Sequence, residues 1–173
     1  NTIKYVFMKI LLINTQANYP YKSPCLDLIA QGPAYIAGMM KSRGHIVKGI
    51  NSSWVISEGS SRDNLKKLIK EGVFNFQPDV IATGGMVAEY LFVKDSIDFS
   101  REFAPNTPII CGGSILTNDK QSFEVLKPDF GIMDEGEFPI IELLSALEGE
   151  KNYKQIDNLA FWENEKSVYN KLR

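Results

Sequence analysis

"PIICGGSILTN", residues 108–118, decides the fold. An apolar run climbs from Pro108 to Cys111 and stops on Gly112-Gly113, with Ser114 behind it. A continuous apolar run this short reads as a strand buried on both faces. Glycine pairs lose more freedom on folding than other residues. They are kept where the backbone turns sharply or where something lies close against it. The same ending recurs twice. "DVIATGGM" (79–86) passes through Thr83 to Gly84-Gly85 and Met86, and "FGIMDEGE" (130–137) runs into Glu135, Gly136 and Glu137.

Two more strands precede these, "KILLIN" (9–14) and the weaker "HIVKGIN" (45–51). Helical periodicity fills the gaps. "GPAYIAGMMKSRG" (32–44) has Pro33 in its first turn, Gly44 as a left-handed stop, and Tyr35, Ile36, Met39 and Met40 as an inward stripe. "SSRDNLKKLIKEGVFNF" (60–76) is capped by Ser60 or Ser61 and turns Leu65, Leu68 and Ile69 inward. "AEYLFVKDSIDFSREFAP" (88–105) buries Leu91, Phe92 and Phe99. A short helix spans 119–127, and a last one, "FPIIELLSALEG", spans 138–149. Five strands alternating with five helices predict an α/β fold, flavodoxin-like or Rossmann-like. Its sheet is parallel, in the order 2-1-3-4-5, with helices on both faces. "NLAFWENEKSVYN" (158–170) predicts a C-terminal β-hairpin.

The bulk numbers narrow the function. With 173 residues, 44% hydrophobic and 23% charged, the chain can build a core. A net charge of −2 leaves no electrostatic footprint for nucleic acid or an anionic membrane, and no stretch is long enough to span a bilayer. The two cysteines, Cys25 and Cys111, read as reduced cytosolic thiols, and no metal ligands are expected. The single histidine, His45, falls between the first helix and the second strand, at the amino-terminal edge of the sheet. No catalytic set is visible.

Open parallel sheets bind ligands at the carboxyl ends of their strands. The first strand feeds a connection over 14–31, "NTQANYPYKSPCLDLIAQ", far longer than such connections usually are. The three later strands end in glycine on that same edge. One pair alone would read as a tight turn. Three together suggest a groove where a large ligand lies against bare main chain. The dinucleotide fingerprint, the P-loop, the flavodoxin phosphate loop and the phospho-receiver aspartate are all missing.

Taken in order, "MKILLIN" (8–14), "GPAYIAGMMKSRGHIV" (32–47), "PDVIATGG" (78–85), "TPIICGGSILTND" (107–119), "KPDFGIMDEGEFPIIELLSALEG" (127–149) and "NLAFWENEKSVYNK" (158–171) carry a family likeness. The chain resembles the cobalamin (B12)-binding domain at the amino terminus of cobalamin-dependent radical SAM enzymes, over residues 8–171. The resemblance implies a cobalamin-binding α/β domain over 1–150. Residues 151–173 would then be a hairpin and linker toward a radical SAM domain in cis, of methyltransferase type. It implies that Thr83, Gly84, Gly85, Met86, Gly112, Gly113 and Ser114 line the nucleotide tail. Glu135, Gly136 and Glu137 would lie near the tail or the corrin edge, and Asn14, Tyr19 and Tyr21 under the ring. In the branch of the family that ligates cobalt, a histidine stands in Asp-x-His-x-x-Gly. Here "DLIAQG" (27–32) has Asp27 and Gly32 but Ile29 in the histidine position, so cobalamin is expected to bind without a histidine ligand. The C-x-x-x-C-x-x-C cluster motif is absent, so S-adenosylmethionine and a [4Fe–4S] cluster belong to a larger parent. Two alternatives stay open. One is a domain of this ancestry that has lost cobalamin and serves as a scaffold. The other is an unrelated flavodoxin-like sensor or nucleotide-binding domain.

Overall fold

A computed structural model of the chain describes residues 7–15, 19–20, 31–51, 61–149 and 152–173. Seven strands form one sheet: β1 (Lys9–Asn14), β2 (Ile46–Asn51), β3 (Val80–Gly84), β4 (Ile109–Gly112), β5 (Phe130–Ile132), β6 (Leu159–Glu163) and β7 (Lys166–Tyr169). Their order is β2-β1-β3-β4-β5-β6-β7. The first five are parallel in the expected order. The hairpin continues the same sheet, with β6 antiparallel on β5 and β7 antiparallel on β6.

The helices are α1 (Gln31–Ser42), α2 (Ser61–Phe76), α3 (Tyr90–Phe103), α4 (Ser114–Thr117), α5 (Gln121–Leu126) and α6 (Glu137–Leu147). Period-two alternation along the strands builds two cores. Leu11, Ile13, Ile81, Ile109 and Cys111 face the layer of α2 to α5, while Ile10, Leu12, Val80, Ala82 and Ile110 face α1 and α6. Both faces are therefore covered, as a parallel sheet requires. Gly44, with φ of +91°, stands just past α1, where the left-handed stop was expected, and Gly149, with φ of +85°, stands in the same way past α6.

Two Pro-Asp pairs fix the register. Asp79 N–H donates to Lys9 O (2.8 Å), and Lys9 N–H donates to Asp79 Oδ2 (2.7 Å). Asp129 and Ile109 repeat the exchange at 2.9 and 2.7 Å. Each aspartate closes a two-bond ring with the first residue of the next strand, so the strand cannot slip by one residue.

Some helix faces differ from the periodic reading. Tyr35 is exposed, and α1 meets the sheet through Met40, with Ile36 and Ala37 packed beside it. Leu91 is exposed while its neighbour Phe92 is fully buried. Adjacent residues point about 100° apart on a helix, and packing against the sheet decides which are covered: Phe92 and Val93 both are, Leu91 is not. Leu68 is only partly buried. The one-turn helix α4 follows β4 directly and has no period to read.

Candidate functional site at the carboxyl edge

The ends of β3 and β4 are stitched into one corner. Gly84 pairs with Gly112. Gly85 N–H donates to Gly112 O (3.1 Å), and Ile115 N–H donates to Gly85 O (3.0 Å). A Cβ on Gly84 would lie 2.2 Å from Gly112 O, and one on Gly113 would lie 2.6 Å from Gly85 O. Gly113 also has φ +94°, which disfavours any side chain. A Cβ on Gly85 would meet Glu89 Oε2 at 2.6 Å and Thr15 Cγ2 at 2.8 Å. The space at these three glycines is thus filled by the chain's own atoms, and the close approach they permit is between two strand ends. Gly112 differs. Its nearest outside atom, Ile132 O, would stand 3.7 Å from a Cβ, an ordinary contact.

Around this corner the other expected residues take defined places. Thr83 is buried, and its hydroxyl donates to Ile13 O at 3.5 Å, the far limit for such a bond. Met86 is exposed and heads a 3-10 turn over Val87–Glu89. Its N–H donates to Glu89 Oε2 (2.7 Å), and Glu89 N–H returns a bond to Met86 O (2.9 Å). Glu89 and Thr15 were not among the expected site residues, although a glutamate three positions after Met86 has capping-box spacing. Ser114 opens α4, half-buried. Glu135 is exposed, and its carbonyl accepts from Asn158 Nδ2 at 3.4 Å. Gly136 stands against Ile36 Cδ1, and Glu137 begins α6.

Asn14 ends β1, opposite Asn51 of β2. Its Oδ1 is buried and has no hydrogen-bond partner among the described residues. Tyr19 lies on the α2–α3 side of the sheet. Its ring meets Phe92 edge-on at 5.2 Å, and its hydroxyl donates to Asp95 Oδ2 at 2.5 Å. Burial first, and then the bond to Asp95, push the Tyr19 phenol well above its ordinary range. Tyr21, Cys25, Asp27 and Ile29 lie outside the described residues.

The remaining chemistry-bearing residues stand elsewhere. His45 is at the amino edge, where its Nδ1 accepts from Met8 N–H (3.3 Å), and burial pushes its pKa down. Cys111 is buried in the core, its thiol pushed up to about 12 by desolvation. Among the described residues, no group of three His, Cys, Asp or Glu side chains could hold a metal ion. A cavity of about 420 Å³ lined by Arg101, Asp129, Tyr153, Phe161 and Trp162 opens on the amino edge, away from the glycines.

Nearly the whole chain, 96% of it, superposes on solved structures. It matches the radical S-adenosylmethionine methyltransferase TsrM from Kitasatospora setae, with cobalamin and a [4Fe–4S] cluster bound, at a TM-score of 0.75 and 16% identity, over 96% of this chain. It matches the cobalamin-dependent S-adenosylmethionine radical enzyme OxsB, with aqua-cobalamin and S-adenosylmethionine bound, at a TM-score of 0.72 and 18% identity, again over 96%. The fold is one found in cobalamin-dependent radical SAM enzymes. The chain spans 29% of the TsrM chain and 22% of the OxsB chain. No family model matches the chain, and no curated protein does.

Proposed function

We propose that this domain binds cobalamin at the carboxyl edge of its sheet, as part of a larger radical SAM enzyme of methyltransferase type. The carrying observation is that 96% of the chain adopts a fold seen in enzymes solved with cobalamin bound. The carboxyl edge supports the reading. It offers a buried acceptor at Asn14 with no partner among the described residues, room for a side chain's first carbon at Gly112, and an exposed rim at Met86 and Glu135. The nucleotide tail would pass Thr83–Met86 and Gly112–Ser114, with Gly112 giving the room. Glu135, Gly136 and Glu137 would border it.

When bound, cobalamin supplies the cobalt centre that carries the group-transfer chemistry, and the protein supplies binding and orientation. The only histidine accepts a hydrogen bond at the opposite edge, so cobalamin is held without histidine ligation from this chain. S-adenosylmethionine and the iron–sulfur cluster would be held by other parts of the parent, in cis.

The test is direct. Protein mixed with hydroxocobalamin and desalted is expected to stay coloured, with a spectrum unchanged by His45→Ala. Colourless protein overturns the reading. It would favour the scaffold alternative, for which the filling of the space at Gly84, Gly85 and Gly113 by the chain's own atoms already speaks.

A further inference from the structure

The loop from Met133 to Glu137 borders the proposed ligand edge and is pinned from two sides. On one side Asp134, with φ +59°, donates its N–H to Thr117 Oγ1 at the end of α4 (2.7 Å). On the other stands Asn158, 3% exposed, just ahead of β6. Its carbonyl accepts from Met133 N–H (2.9 Å), and its Nδ2 donates to Glu135 O, a longer bond at 3.4 Å.

The same residue holds a second segment. β6 starts beside the end of β5, and β7 runs back along β6, so the run after β7 returns to the carboxyl edge. There Asn158 N–H donates to Lys171 O (2.8 Å), and its Oδ1 accepts from Arg173 N–H (2.7 Å). One buried residue thus joins the rim at Glu135 to the run Lys171–Arg173.

Asn158 has φ +62°, a left-handed conformation that glycine would meet as well. The amide adds what glycine lacks, a donor for the rim and an acceptor for the run after β7 on one planar group. Moving either partner turns that group and weakens its bond to the other. Sites that share such a group are coupled, and the coupling acts in both directions.

We infer that Asn158 is a positioning residue that couples the rim at Glu135 to the run Lys171–Arg173. A ligand seated against the rim steadies the Asn158 amide and through it Arg173, and the bond to Arg173 steadies the rim for the ligand. Asn158 itself does not touch the ligand. The inference rests on the cobalamin reading, in which this run leads toward the rest of the parent.

The test breaks the arm that lies away from the rim. Arg173 is exposed, so changing it spares the core. Arg173→Pro removes the N–H that Asn158 Oδ1 accepts. Arg173→Ala keeps that N–H and removes only the side chain, with its ion pair to Asp157. Asn158→Gly keeps the backbone conformation and removes both side-chain bonds. These variants, wild type and the double variant Asn158→Gly with Arg173→Pro are titrated with hydroxocobalamin by corrin absorbance, with melting temperatures recorded alongside. Arg173→Ala is expected to bind as wild type does. Arg173→Pro is expected to bind about threefold more weakly and Asn158→Gly about fivefold, the order of one hydrogen bond. The double variant is expected to match Asn158→Gly, because the proline has no further bond to break. An Arg173→Pro protein that binds as Arg173→Ala does, losses that add in the double variant, or an Asn158→Gly protein that melts lower but binds normally each overturn the coupling. Wild type that takes up no corrinoid overturns the functional reading, and the coupling falls with it.

Discussion

Gly112 and Gly113 are neighbours with opposite tolerances. Gly113 has positive φ and no room, so Gly113→Ala should cost about 2–4 kcal/mol of stability in urea unfolding. Gly112 has ordinary strand geometry and an open flank, so Gly112→Val should fold within about 1 kcal/mol of wild type. If the cofactor's tail passes there, that same valine lowers cobalamin affinity. Unchanged affinity would place the tail elsewhere. His45 offers a second check at this scale. Its pKa is lowered in the fold, so the unfolded chain takes up a proton first as pH falls through the ordinary histidine value near 6.5. The stability it contributes is complete above that value and is lost below it. His45→Asn can still offer an acceptor to Met8 N–H, and its melting temperature should fall less between pH 7.5 and 5.5 than that of wild type.

At the scale of elements, strands were easier to read than helices. Short apolar runs with a turn signal at each end leave few alternatives, and all five parallel strands and both hairpin strands form where the pattern put them. Helix faces were less legible at Tyr35 and Leu91, because apolar neighbours share the periodic signal and tertiary packing chooses between them. The aspartate rings at Asp79 and Asp129 went unread, since their partners lie 70 and 20 positions away. They carry an expectation. Asp129→Ala leaves the Ile109 N–H without its acceptor and Arg101 without its ion pair, for about 1–3 kcal/mol. Asp129→Asn keeps an oxygen for that N–H and should cost less than half as much. Equal losses in urea unfolding would show that the ion pair, not the register ring, matters.

At the scale of the whole molecule, the sequence made the carboxyl edge legible but not the reason for its glycines. Strand order followed from the alternation of strand and helix, and the edge followed from the order. That Gly84 presses on Gly112 and Gly113 on Gly85 could not be seen, because it depends on two strand ends meeting across 28 positions of chain. The seat of Tyr19 on Asp95 was equally out of sight, because that contact lies 76 positions distant.

The shared gap between Gly85 and Gly113 also constrains how the molecule can vary. A methyl group introduced at Gly113 intrudes on the peptide at Gly85, and the hydrogen bond from Ile115 hangs on that same peptide. Gly113 cannot be altered by itself: a descendant sequence admitting bulk there would have to rebuild the peptide at Gly85 and the turn of α4 in the same step.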